Sequence, residues 1–147
     1  MLNASDSISL TGRILISLPF LMSGISKFVA PAATIAYIAS VGLPLPPAAY
    51  AIAVAIEIGG GLLLLLGVYT RSVAAIMAIF TMATALAFHA NFVDQDQMIH
   101  FLKNLMITGG LLQLAAFGSG QFSVDARLNR TSGVGAAATS RAIASAS

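Results

Sequence analysis

The sequence predicts an all-α integral membrane protein, a four-helix bundle with both termini on the cytoplasmic side (N-in/C-in). Three observations carry that expectation. Of 147 residues, 58% are hydrophobic and 8% charged, whereas a soluble domain carries about 25% charged residues. Four apolar segments of about 20 residues each match a hydrocarbon core of ~30 Å at ~1.5 Å per residue. They lack strict alternation and run to about twice the length of a barrel strand, which leaves the helix as the spanning form. A very apolar soluble helical bundle is the alternative, and the scarcity of charge speaks against it.

Residues 1–7 read as an N-terminal segment, 8–128 as the four-helix domain and 129–147 as a disordered Ala/Ser/Thr/Gly tail. The first helix is expected from Ile8 to Val29. Arg13, Ser17, Phe20, Gly24 and Lys27 recur at helical spacing, so they share one inward face. Ile14, Leu15, Ile16, Leu18, Leu21, Met22 and Ile25 suit lipid. Snorkelling of Arg13 and Lys27 to the two interfaces is the competing reading. A cleaved signal peptide is disfavoured, because the first twelve residues hold Asp6 and no Lys or Arg. Ala30-Pro31 ends the helix, and 32–41 reads as a short interfacial helix. The turn Gly42-Leu43-Pro44-Leu45-Pro46-Pro47 then places Pro47 at a helix start, where its missing N–H costs nothing.

The second helix is expected from Pro47 to Tyr69. Glu57 falls about 15 Å into it, too deep for a short carboxylate to reach water. Such a group must be protonated, paired with a cation or lining a wet cavity. Gly60 and Gly61 lie one turn further on and let a neighbouring helix come close. A purely structural ion pair that fixes helix order is the alternative role for Glu57.

A minimal loop containing Arg71 leads to the third helix, Ser72 to Phe92. There Ala75, Ala78, Met82, Ala85 and His89 form a stripe of mainly small residues. A lone histidine is more often a packed residue than a ligand, and both readings stay open for His89. The polar loop with Asn91, Asp94, Gln95, Asp96 and Gln97 precedes the fourth helix, Ile99 to Phe117. His100, Lys103 and Asn104 lie in its outer turns, and Gly109 and Gly110 come one to two turns later. His89 and His100 are eleven positions apart without a metal-ligand spacing, so no metal is expected.

Orientation is set by the basic residues. With both termini inside, Arg13, Arg71, Arg127, Arg130 and Arg141 lie on or near the cytoplasmic side. Lys27 and Lys103 lie outward with Asp94 and Asp96. By depth and phase, Lys27, Glu57, His89, Lys103 and Asn104 then surround one ligand-binding cavity. Its excess positive charge would favour an anionic or strongly polar acceptor. Arg13 and Arg71 read as structural polar residues, and Gly24, Gly60, Gly61 and Gly110 as helix-packing positions. The chain has no cysteine and no tryptophan, which excludes disulfides, thiolate ligands and thiol redox chemistry. No basic run suggests nucleic acid.

The order of motifs resembles the DoxX family of small bacterial membrane proteins over roughly Gly12 to Ala126. The matching pieces are Arg13 with Phe20-x-x-x-Gly24-x-x-Lys27, then Gly42-Leu43-Pro44, then Glu57-Ile58-Gly59-Gly60-Gly61. They continue with Leu64-x-x-Gly67-x-x-Thr70-Arg71, His89, Lys103-Asn104 and Gly118-x-Gly120-x-x-Ser123-x-Asp125. The resemblance implies a four-helix inner-membrane protein. Members of that family are linked to redox tasks: a subunit of thiosulfate:quinone oxidoreductase, catechol and quinone resistance, and oxidative-stress complexes. With no intrinsic cofactor fingerprint, electron transfer would run through a bound quinone or a partner's cofactor. Three roles are therefore compatible with the sequence. The first is a redox-associated protein, catalytic only as a subunit of a quinone-linked oxidoreductase, that binds a quinone or small anion. The second is a non-catalytic subunit or scaffold within a redox complex, and the third is a small-molecule transporter. The lipid bilayer is the partner common to all three, and an oligomer is compatible with each.

Overall fold

A computed structural model describes residues 4–130. They form helices connected by short turns: α1 (Ala4–Val29), α2 (Pro31–Ser40), α3 (Pro46–Val54), a π-helical turn (Ala55–Gly60), α4 (Gly61–Leu66), α5 (Thr70–Phe88) and α6 (Gln95–Phe117). A further helical stretch covers 124–130. Three units are long and apolar enough to cross a membrane: α1, the continuous run Pro46–Leu66, and α5. The expected tail lies outside the described residues from 131 onward, while 129 and 130 are helical.

α1 begins at Ala4, four residues before the expected start, and absorbs most of the N-terminal segment. Its inward face buries Arg13, Ser17, Phe20 and Gly24. Two residues assigned to lipid turn inward instead. Ile16 packs against the core, and Leu21 lies against Gly61. The apolar arc of α1 is thus wider than its polar stripe, and its edges meet neighbouring helices. The core itself is Phe20, Leu64, Ala74, Met77, Ala78 and Leu111.

The second spanning unit is not a uniform α-helix. At Ala55–Gly60 it widens into a π-turn, which inserts one extra residue and rotates the helix beyond it. The glycines there allow close approach. A Cβ on Gly24 would stand 2.6 Å from Ile58 Cγ1, and one on Gly60 would stand 2.6 Å from Met77 Sδ. A Cβ on Gly61 would meet Leu21 Cδ2 at 2.9 Å, and one on Gly110 would meet Ile16 Cδ1 at 2.9 Å. The unit ends at Gly67, whose φ of 70° suits glycine. Val68 N–H donates to Leu63 O and Gly67 N–H to Leu64 O, a Schellman closure.

α5 and α6 form a tight helical hairpin. α5 stops at Phe88, with His89 as its C-cap rather than a helical residue. α6 starts at Gln95 rather than Ile99, because Asp94 accepts from Asp96 N–H and Gln97 N–H and caps it. The polar loop is therefore largely a helix start.

Candidate functional site

Lys27 and Glu57 meet across α1 and the π-turn. Lys27 Nζ lies 2.9 Å from both carboxylate oxygens of Glu57 and donates to Ser23 Oγ at 2.6 Å. Ser23 Oγ in turn donates to Glu57 Oε1 at 3.3 Å. The Glu57 side chain is 9% exposed and the Lys27 side chain 29%. All three ammonium hydrogens thus have acceptors, and the cluster is closed on itself. Close packing of Gly24 on Glu57 and Ile58 is what brings the two helices near enough.

Beside this pair lies a cavity of about 460 Å³ between α1, α2, α3, α5 and α6. Its walls are mostly apolar, including Ile38, Ile52, Phe80 and Phe88. Tyr37 of α2 stacks on Phe88 with ring centroids 5.4 Å apart, so α2 covers one side. Polar groups reach it from Ser23, Lys27, Glu57, Thr84, His89 and Asn104. His89 Nδ1 is 2.8 Å from Gln97 Oε1, and its ring stacks on His100 at 5.0 Å. That leaves His89 Nε2 and the Asn104 amide as polar groups with no hydrogen-bond partner among the described residues.

Of the five residues expected to share a ligand cavity, Lys27, Glu57, His89 and Asn104 line it. Lys103 does not; it is exposed on the outer side of α6, adjacent to the inward-turned Asn104. The charges at the cavity are therefore one neutralised ion pair and a histidine, not the cationic excess that three outer bases imply. Ser23 escaped the sequence reading, although its position four residues before Lys27 on one helix face was the available signal.

The opposite end of α1 holds a second cluster. Arg13 is 1% exposed and donates to Ser119 O at 2.9 Å and Phe122 O at 2.6 Å. It does not snorkel; it ties α1 to the segment after α6. Asp125 accepts from Tyr69 N–H at 2.8 Å and Thr70 N–H at 2.9 Å, capping the start of α5. Burial pushes the Asp125 carboxyl up. Donation from Thr70 and Tyr69 and the nearby Arg13 guanidinium outweigh it, and the group sits below the ordinary carboxylate range. Arg71 lies against Gly118 and lines a polar cleft with Thr70, Gln121 and Asp125.

The family model described as DoxX matches residues 8–90. The chain is 40% identical over 124 residues to the inner membrane protein YqjF of Escherichia coli (strain K12), an alignment covering 82% of this chain and 92% of that protein. It is 36% identical over 124 residues to the inner membrane protein YphA of the same organism, covering 80% of this chain and 88% of that one. No solved structure matches.

Proposed function

The chain belongs to the DoxX family, and from that premise we propose that it binds a quinone-like amphipathic molecule in the cavity beside Lys27 and Glu57. It is a multi-pass protein of the bacterial inner membrane, with relatives named as inner membrane proteins and three helices of spanning length and apolarity. In our reading α6 is the fourth span. It is 23 residues long, and its hairpin with the spanning α5 carries it back through the same depth. The arrangement of the arginines supports an N-in/C-in orientation. Arg13, Arg71 and Arg130 gather at one end with the segment after α6, while Lys27 lies toward the other.

The single observation that carries the ligand proposal is the composition of the cavity. Apolar walls of α2, α3 and α5 suit a ring and its tail, the Asn104 amide N–H suits a carbonyl oxygen, and His89 Nε2, the acceptor nitrogen of a neutral ring whose Nδ1–H donates to Gln97 Oε1, suits the hydroxyl of the reduced quinol. A quinone fits those walls and donors, and when bound it supplies the electron-accepting chemistry that a chain without cysteine lacks. Asn104 and His89 would orient it, and the Lys27 ammonium would stabilise negative charge building on an oxygen. Glu57 holds that ammonium in place. A neutral pair favours a neutral acceptor over a small anion.

The test is direct binding of a short-chain benzoquinone to the purified protein in detergent, monitored by quenching of tyrosine emission, since Tyr37 lines the cavity. Saturable binding is expected, weakened roughly tenfold by Asn104→Leu for the quinone and by His89→Phe for the corresponding hydroquinone, the loss of about one hydrogen bond each. No binding by the wild type, or binding by both variants as tight as the wild type's, overturns the proposal. A second reading draws on the closed Lys27–Ser23–Glu57 network. In a non-catalytic subunit that network serves as internal glue, and the purified protein would bind no quinone at all.

A further inference from the structure

Gln97 lies in the first turn of α6, three residues after its cap Asp94. A glutamine there ordinarily reaches back to the N–H of the capping residue and closes a box around the helix start. In this chain the Asp94 N–H already donates to Asn91 O at 3.3 Å. The Gln97 side chain turns to α5 instead, and its Oε1 lies 2.8 Å from His89 Nδ1. An amide oxygen only accepts, so Nδ1 keeps its hydrogen whether the ring is neutral or charged. Every change of protonation then falls on Nε2, which has no partner among the described residues and belongs to a residue that lines the cavity.

A neutral Nε2 accepts a hydrogen bond and cannot donate one; a protonated Nε2 donates and cannot accept. A quinone offers only acceptor oxygens, so it suits the charged ring. A hydroquinone hydroxyl suits the neutral ring, to which it donates. We propose that His89 is the residue by which the cavity distinguishes the two redox forms of its ligand: neutral, it favours the hydroquinone, and protonated, it favours the quinone. A proton taken up from water by Nε2 then accompanies quinone binding. This selector rests on the quinone reading above, and its test separates the two.

The surroundings leave the charge of His89 free to follow the ligand. Among the described residues no carboxylate pairs with the ring. Across the cavity stand Lys27 and Glu57, whose charges cancel. α2 and α3 contribute the phenols of Tyr37 and Tyr50 and no charged side chain. From α6 the ring of His100 stacks on His89 at 5.0 Å, and it is exposed. Asp94 and Asp96 at the start of that helix, and Lys103 three residues beyond His100, are also exposed, where solvent weakens their fields.

Both forms of one short-chain benzoquinone, the reduced form kept under argon, are titrated calorimetrically into the purified full chain in detergent. The series runs from about pH 8 to about pH 5, the range in which an imidazole changes charge. The ratio of quinone to hydroquinone affinity is expected to rise roughly tenfold on acidification, the exchange of about one hydrogen bond. It should stay constant in His89→Phe and still rise in His100→Gln. Gln97→Glu should move the midpoint of the change up by about one pH unit, since a carboxylate beside Nδ1–H favours the charged ring. Binding of neither form by the wild type at any pH defeats the quinone reading, and the selector with it. Binding of both forms in a ratio that ignores pH overturns the selector alone. So does a ratio that still changes in His89→Phe, one that no longer changes in His100→Gln, or a midpoint unmoved by Gln97→Glu.

Discussion

Glu57 shows how one side chain sets the energetics of this interior. Removing its charge leaves the Lys27 ammonium with neutral acceptors and no counter-charge in a largely buried position. Breaking a buried pair from one side costs on the order of 3 kcal/mol, whereas replacing both partners by apolar groups is often near neutral. Glu57→Gln should therefore lower the thermal midpoint in detergent clearly, and Lys27→Met with Glu57→Leu should restore much of it. Circular dichroism melts of the three proteins check this. A single variant as stable as the wild type would mean that the pair contributes nothing. The sequence required Glu57 to be protonated, paired with a cation or lining a wet cavity, since a bare carboxylate at that depth is too costly. It left several cations in contention. Lys27 is chosen because Gly24 lets α1 close on the π-turn.

Elements are joined by capping groups as much as by apolar contact. Asp94 starts α6 from within its own loop, while Asp125 starts α5 from more than fifty residues away. The second cap makes the chain after α6 a clasp across the end of the bundle, with Arg13 as its other fastening. Because Asp125 has its folded pKa lowered, its contribution is present above the unfolded carboxylate value and is lost as pH falls through the lowered folded value. Acidification below about pH 4 should thus loosen the 118–130 segment before the helices melt. Asp125→Ala should do so at neutral pH, at a cost of about 1 kcal/mol. Limited proteolysis across a pH series reads both, and equal cleavage of wild type and variant at every pH would remove the clasp. Local reading anticipated the cap of neither α5 nor α6. Asp94 stood in view as an Asp before a helical run, but the apolar pattern starts only at Ile99 and drew the boundary too late. The π-turn was also hidden. Its glycines were visible, but the extra residue turns the side chains beyond it by about 100°, which a helical wheel of fixed period does not register.

At the scale of the whole molecule, the expected topology has a simple check. Reporter fusions after residues 91 and 130 should report outside and inside respectively, if α6 is the fourth span and the arginine-rich end is cytoplasmic. Two fusions on the same side would remove α6 from the membrane. What the sequence by itself determined is the membrane class, the helical form and the inward stripe of α1. Hydropathy and charge are sums over the chain, and the phase of an uninterrupted helix is fixed by spacing alone. Only the tertiary structure decided that Lys27 pairs with Glu57, that Asn104 rather than Lys103 faces the cavity, and that Asp125 caps α5. Each of those outcomes depends on how helices far apart in sequence rotate and approach. Adjacent positions on a helix differ by only about 100°, so spacing cannot say which of two neighbours a packed partner will turn inward.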